Sequence, residues 1–401
     1  MTPDPSLLVI NAGSSSLKFA RFEVGGGLRR TLTGWFDGIG LPSGTLEIRG
    51  PAIADVSLAI VAAGSAGLDH ATAVDALLDW FAEQRIGWDA VGHRIVHGGP
   101  HYAEPQRVTP EMVADLRSVS DFDPEHLPAA LSLTEVIGRR GPNVPQVACF
   151  DTAFHHDLPR VARVLPIPRR FEAMGVRRYG FHGLSYAYLM GELARVGGAD
   201  AARGRVVLAH LGSGASLTAT RGGRPIDTTM GFTPASGVPM STRSGDIDPG
   251  LAAFLLRKEG MDAARFTQMV NTESGLLGVS ETSPDMRTLL AAEARSREDP
   301  DADEVAEATV TSLSRVVPAA VPGIALLSGG QAGPVASARL KAMNLRSRGR
   351  LPWALSFSFG RALQHPALDI WHGDPRNVAR AQAALVLRAR CNQAARRGED
   401  G

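Results

Sequence analysis

The chain has 401 residues, 44% of them hydrophobic and 21% charged, with a formal net charge of +1. That length asks for two or three domains, and the near-neutral balance excludes a global field for nucleic acid or membrane, so any anion site must be local. Cys149 and Cys391 give no disulfide framework, the N-terminus has no basic leader, and no run approaches the ~18 apolar residues of a span, so a cytoplasmic protein with no membrane or nucleic-acid partner is expected.

In chain order, Leu7–Asn11 is a short β-rich run, Ala12–Ser16 is a tight Gly/Ser turn, and Leu17–Val24 alternates apolar and polar as a second strand. Ala71–Gln84 has helical apolar spacing. Ala90–Val96 reads as a buried strand entering a Gly-Gly loop, and Val147–Asp151 as a strand ending at a carboxylate. Val206–Leu211 runs into Gly212-Ser-Gly214, Leu217–Arg221 alternates, and Gly222-Gly223 makes a turn. Strand, Gly turn, strand thus occurs twice, which implies two similar α/β halves with a cleft between them. The charged run Glu293–Glu304 reads as a solvated loop or helix end and marks a change in character. Beyond it come a helix (Val305–Val317), a strand (Ile324–Leu327), a helix (Val335–Met343), a strand (Ala354–Phe359) and a final helix (Asn377–Arg397).

Chemistry-bearing residues cluster at the turns. In Asn11-Ala-Gly-Ser-Ser-Ser-Leu-Lys18, glycine lets backbone N–H groups approach an anion, the serines add donors, and Lys18 adds a point charge. A plain polar hairpin is the alternative, and the spacing is not that of a P-loop. Arg94 interrupts an apolar strand, either as half of a structural ion pair or as a planar fork clamping a carboxylate or phosphate. His126 and His182 are structural or functional; the basic and glycine neighbours of His182 raise its functional standing. His210–Ser216 is a second strand-to-Gly/Ser loop able to cradle phosphate. Arg243, beside Asp246 and Asp248, belongs to a salt-bridged loop or to an anion site.

The stretches VINAGSSSLKF, GHRIVHGG, FDTAFH, RRYGFHG, HLGSG, DTTMGFTP, MSTRSGDIDPG, SGLLGVS and PDMR, from Leu7 to about Leu290, together resemble the acetokinase family of the sugar kinase–Hsp70–actin superfamily. The resemblance implies an α/β fold of two ribonuclease-H-like domains with a central cleft, residues 1-150 forming the first and 151-295 an incomplete second. It implies a homodimeric transferase that phosphorylates acetate, or another short-chain carboxylate, reversibly with ATP and Mg²⁺. By that likeness Asn11 helps hold the metal and Lys18 meets ATP phosphates. Arg94 binds the carboxylate, and Asp151, His182 and Arg243 are catalytic. His210, Leu211, Gly212, Ser213 and Gly214 form the nucleotide-phosphate loop, and Asp285, Met286 and Arg287 touch the nucleotide. The departures are Tyr186 for a histidine, Ser213 for an asparagine and Leu127 for an asparagine.

The family's Gly-Gly-Ile-Gly-Glu motif, which grips adenosine, and its later metal-binding glutamate have no counterpart here. Residues 304-401 instead resemble the C-terminal part of class I fructose-bisphosphate aldolase, through EVAEATV, VPAAVPGIALLSGGQ, LKAMN, LPWALSFSFGRALQHPAL and NVARAQAALVLRA. Aldolase chemistry needs a Schiff-base lysine on an upstream strand and a barrel of typically ≈ 250 residues, neither of which this segment supplies. Its likeness implies a phosphate grip at Ser328, Gly329, Gly360 and Arg361. The alternative reading of the whole chain is therefore an inactive or weakly active kinase–aldolase hybrid that retains phosphate binding only.

Overall fold

In β1 (Ser6–Ala12), Leu8, Ile10 and Ala12 are buried on one face while Val9 and Asn11 point to the other, the period-two signature of a strand. The computed structural model describes residues 4–13, 16–51, 53–62, 67–124, 126–289, 324–329, 333–346, 356–357, 360–371 and 374–399. The chain divides into two units, Met1–Ala153 and Phe154–Gly401.

In the first unit β1 pairs antiparallel with β2 (Ser16–Val24), followed outward by β3 (Leu28–Asp37), β4 (Ser43–Gly50) and β5 (Ile53–Val61). On its other side β1 pairs parallel with β6 (Ala90–Ile95), and β6 with β8 (Gln146–Phe150), which also carries the short β7 (Gln106–Arg107). The helices α1 (His70–Glu83), α2 (Pro110–Ser118) and α3 (Leu127–Arg140) supply the apolar side chains that meet the sheet. Leu77, Leu78 and Phe81 of α1 pack with Leu8, Ile10, Leu17 and Phe36, each at most 1% exposed. Burying a large apolar side chain contributes about 1.5–3 kcal/mol. Asp69 caps α1 by accepting from the Thr72 backbone N–H at 2.7 Å, and the bonds from Thr72 hold its carboxyl below the usual carboxylate range. The expected strands at Leu7–Asn11, Leu17–Val24, Ala90–Val96 and Val147–Asp151 are present; β3, β4 and β5 add to them.

The second unit holds α4 (Arg160–Arg163), α5 (Arg170–Ala173), α6 (Gly183–Gly197), α7 (Ala199–Arg203), α8 (Pro249–Lys258), α9 (Ala263–Thr272) and α10 (Gly275–Ser280). Its sheet starts with β9 (Arg205–Leu211), β10 (Ala215–Arg221) and β11 (Arg224–Thr228), all antiparallel. β9 then pairs parallel with β12 (Ile324–Gly329), and β12 with β13 (Ser356–Phe357). The order β11-β10-β9-β12-β13 repeats the order β3-β2-β1-β6-β8 of the first unit, direction for direction. Two ribonuclease-H-like sheets are therefore present, and the aldolase-like segment supplies the strands that complete the second. That segment also contains α11 (Gly333–Arg346) and α13 (Val378–Arg397), where helices are expected at Val335–Met343 and Asn377–Arg397, and between them α12 (Gly360–Trp371), which the sequence reading does not include. The charged run Glu293–Glu304 and the expected helix Val305–Val317 lie outside the described residues. Among the described residues no helix is long and apolar enough to cross a membrane.

Candidate functional site

Strand alternation sorts the first unit's side chains by chemistry. Leu8, Ile10, Leu17, Phe19, Val91 and Ile95 face the helices, whereas Asn11, Lys18, Arg94 and Asp151 follow the opposite face of β1, β2, β6 and the end of β8. Register brings them level: Asn11 pairs with Lys18 on one side and Arg94 on the other. Arg94 donates from Nε at 3.0 Å and Nη2 at 2.5 Å to Asp151 Oδ2, and from Nη1 to Asn11 Oδ1 at 3.0 Å and to the Ala12 carbonyl at 3.3 Å. Asp151 is 2% exposed, and Arg94 is its ion-pair partner there. Asn11 and Lys18 also line a cavity with Val9, Ala20, Thr33 and Trp35. Ser14 and Ser15 lie outside the described residues. His126 stands just before α3, its Nδ1 at 2.9 Å from the buried carboxylate of Asp123.

The second unit gathers its own set where β9 turns into β10. His182 sits at the start of α6 with φ +62°, a left-handed backbone that a non-glycine residue adopts only when its surroundings hold it. Its ring stacks on His210, centroids 4.1 Å apart at 17°, and its Nδ1 lies 2.8 Å from Ser216 Oγ. His210 Nδ1 lies 3.1 Å from Ser185 Oγ. A Cβ added to Gly214 would come within 3.3 Å of Arg243 Nη1 and 3.4 Å of His182 Nε2, so two nitrogens converge on one point above a bare backbone. This is the form of an anion cradle: no side chain fills it, and donors rim it.

Arg243 is aimed by its loop. Its side chain donates to the Pro234 carbonyl at 3.2 Å, Thr242 Oγ1 donates to Asn271 O, and the N–H groups of Ser244, Ser274 and Leu276 bond to Val270, Thr242 and Met240. Gly275 lets α10 approach this closely: at φ +62°, a Cβ there would stand 2.1 Å from the Met240 carbonyl. Met286 packs with Leu276 and Leu289, tying the Asp285–Arg287 segment to α10. Asp285 and Arg287 pair with each other at the surface, and the guanidinium holds the carboxyl below its usual range. Asp246 and Asp248 accept backbone N–H bonds from Gly237 and Gly250.

The acetokinase family model matches residues 6–325. The chain belongs to the acetokinase family. The model for class-I fructose-bisphosphate aldolase matches residues 281–400, so the two likenesses overlap instead of meeting at one junction. The acetate kinase of Rhodopseudomonas palustris is 44% identical over 313 residues, 77% of each chain. The propionate kinase of Citrobacter rodentium is 41% identical over 287 residues, 70% of each. Among solved structures, acetate kinase of Porphyromonas gingivalis aligns with TM-score 0.71 at 32% identity over 81% of this chain and 83% of its own. A propionate kinase from Francisella tularensis gives 0.77 at 28% identity over 87% and 90%.

In this acetokinase, Asn11, Lys18, Arg94 and Asp151 thus share one face of the first unit, and His182, His210, Gly214 and Arg243 meet in the second. Asp285, Met286 and Arg287 stand one packing step from the latter. Ser328 and Gly329 lie on β12, opposite His210 and Leu211 of β9; Gly360 and Arg361 open α12. Ser185 and Ser216 are the hydroxyl neighbours of His210 and His182; the sequence reading took Ser216 only as the end of the Gly/Ser loop and Tyr186 only as a departure from the family pattern, and did not single out Ser185. The inward position of Ser216 on an alternating strand was the available signal.

Proposed function

We propose that this chain transfers the γ-phosphoryl group of ATP to acetate or another short-chain carboxylate, forming the acyl phosphate reversibly. The observation that carries the reading is the convergence of Arg243 and His182 over Gly214. A carboxylate of ordinary pKa, ~4.3 for a glutamate-like group, is already an anionic nucleophile at neutral pH, so no strong base is required. The barrier lies in bringing one anion onto another, which calls for positioned cations and in-line geometry.

Roles follow from this chemistry. Arg94 takes the carboxylate with the Nη2 N–H that its bonds to Asp151, Asn11 and Ala12 leave over among the described residues. Asp151 orients Arg94 and removes no proton from the substrate. His182, Arg243 and Lys18 offset charge on the transferring group. His210, Leu211, Gly212, Ser213 and Gly214 bed the nucleotide phosphates, with Asp285, Met286 and Arg287 toward the nucleoside. In the tail, Ser328, Gly329, Gly360 and Arg361 are candidate phosphate contacts; the pairing of Ser328 with His210 puts β12 next to the phosphate loop. Mg²⁺, when bound, neutralises charge between the phosphates. On the family likeness Asn11 would supply a protein oxygen to the ion, with phosphate and water completing its shell. The reading carries with it a cytosolic homodimer.

The test is Arg243→Ala. Loss of a cation acting on transition-state charge costs ~10²–10³-fold. Acyl-phosphate formation should fall by that factor while the far-UV spectrum is unchanged; wild-type rates in the variant would remove Arg243 from the reaction.

A further inference from the structure

The stretch RRYGFHG, residues 177–183, holds an arginine to which the site gives no role. Arg178 turns its guanidinium toward main-chain carbonyls. Its Nε donates to Ala162 O at 3.0 Å, and its Nη1 to the carbonyls of Thr228, Thr229 and Met230 at 2.9, 3.3 and 3.3 Å. The Arg178 backbone N–H bonds to Arg163 O at 2.8 Å, and the next two N–H groups, of Tyr179 and Gly180, both reach Gly231 O. Residues 228–231 are thus held by the side chain and the main chain of one short stretch. Gly180 closes the fit: at φ +71°, a Cβ there would stand 2.7 Å from the buried ring of His155 and 2.8 Å from Thr228 Cγ2. Two groups of the site leave from this joint. Two residues after Gly180 comes His182 with its left-handed backbone, and three after Gly231 comes Pro234, whose carbonyl is one acceptor of Arg243.

We infer that Arg178 is a positioning residue that locks residues 228–231 against the turn before His182, and so sets where His182 and Arg243 stand over Gly214. The consequence for the reaction rests on the kinase reading above; the joint does not. An arginine suits the task because its planar fork spans acceptors on two segments at once, α4 on one side and the end of β11 on the other. A lysine would carry the same charge to one of them only. The competing role is a direct contact between the Arg178 charge and a phosphoryl oxygen, and a lysine there separates the two.

The experiment compares Arg178→Met, which keeps the stem and removes the donors, with Arg178→Lys, which keeps the charge; if Arg178→Met does not fold, Arg178→Lys decides. Hydrogen exchange of the full chain, read by mass spectrometry, needs no activity. Segments 176–183 and 228–234 should lose protection, while β9, β10 and the first unit keep theirs. Unchanged exchange in those two segments overturns the inference. So does loss of protection throughout the second unit in both variants, which would make Arg178 an element of core packing. Rates read the catalytic part. Misplacing reacting groups by about 1 Å costs ~10²-fold, so kcat should fall by that order in Arg178→Met. KM for the carboxylate, which on the kinase reading Arg94 holds, should stay near its wild-type value. Arg178→Lys should recover little of the loss; wild-type kcat in that variant would mean that charge, and not the two-segment span, is what counts. Combined with Arg243→Ala, Arg178→Met should cost less than the product of the two separate losses, and full additivity would overturn the link to Arg243. If the wild type forms no acyl phosphate while exchange behaves as stated, the kinase reading fails and the joint stands.

Discussion

Arg94 and Asp151 make one unit of charge. Asp151, at 2% exposure, would be unsupportable as a lone carboxylate, and Arg94 sits on a strand whose other face is apolar. Removing one partner of a buried pair typically costs about 3–5 kcal/mol, and because the Arg94 side chain keeps 26% of its exposure the low end applies. Arg94→Ala should therefore lower the urea midpoint of the first unit by the equivalent of about 3 kcal/mol. An unchanged midpoint would mean that Asp151 is relieved elsewhere. Both readings open at the sequence level, ion pair and clamp, meet in one side chain: the pair is formed, and the remaining donor suits an anion. The sequence marked Arg94 because a strand arginine needs a reason to be there. It took Ser216 only as part of the Gly/Ser loop, and the register that sets Ser216 opposite His210 places it on β10 instead.

At the scale of elements, β6 and β10 carry polar groups on faces that are buried. His93 on β6 is 3% exposed with Nε2 at 2.7 Å from Gln146 Oε1, and burial pushes its pKa down to about 4. His155 is met by Thr218 of β10 at 2.9 Å, and burial, aided by the Arg178 charge, pushes it to about 3. Both are depressed bases, so the unfolded chain binds more protons between the folded value and 6.5. Stability from these groups is complete above pH ~6.5 and drains as pH falls toward 4. His93→Gln should flatten the decline of the first unit's denaturation midpoint between pH 7 and 5; an equally steep decline would place the acid sensitivity elsewhere. These elements were largely legible: β1, β2, α1, β6, β8, β9 and β10 follow from alternation, helical spacing and Gly turns. β4 and β5 were harder to see. β5 reads as Ile53–Val61 with little deep burial, so its sequence carries only a faint two-residue pattern.

Across the whole molecule, the same sheet plan is built twice from different material. In the first unit all its strands come from acetokinase-like sequence. In the second, β12 and β13 belong to the aldolase-like segment, yet β12 pairs parallel with β9 as β6 does with β1, and β13 pairs parallel with β12 as β8 does with β6. No local pattern announces such pairing; a parallel neighbour is chosen by the sheet edge and not by the strand's own residues. A chain ended at residue 290 would leave the β9 edge bare. Calorimetry of that chain should show the first unit's transition kept and the second's lost, with aggregation on heating; two intact transitions would show that β12 is dispensable. The central claim is that the acetokinase site works in this completed form. The most direct measurement is hydroxylamine trapping with the full chain, acetate and Mg·ATP. The account predicts acetohydroxamate in proportion to enzyme, dependent on both substrates. A folded, soluble chain that forms none would contradict it.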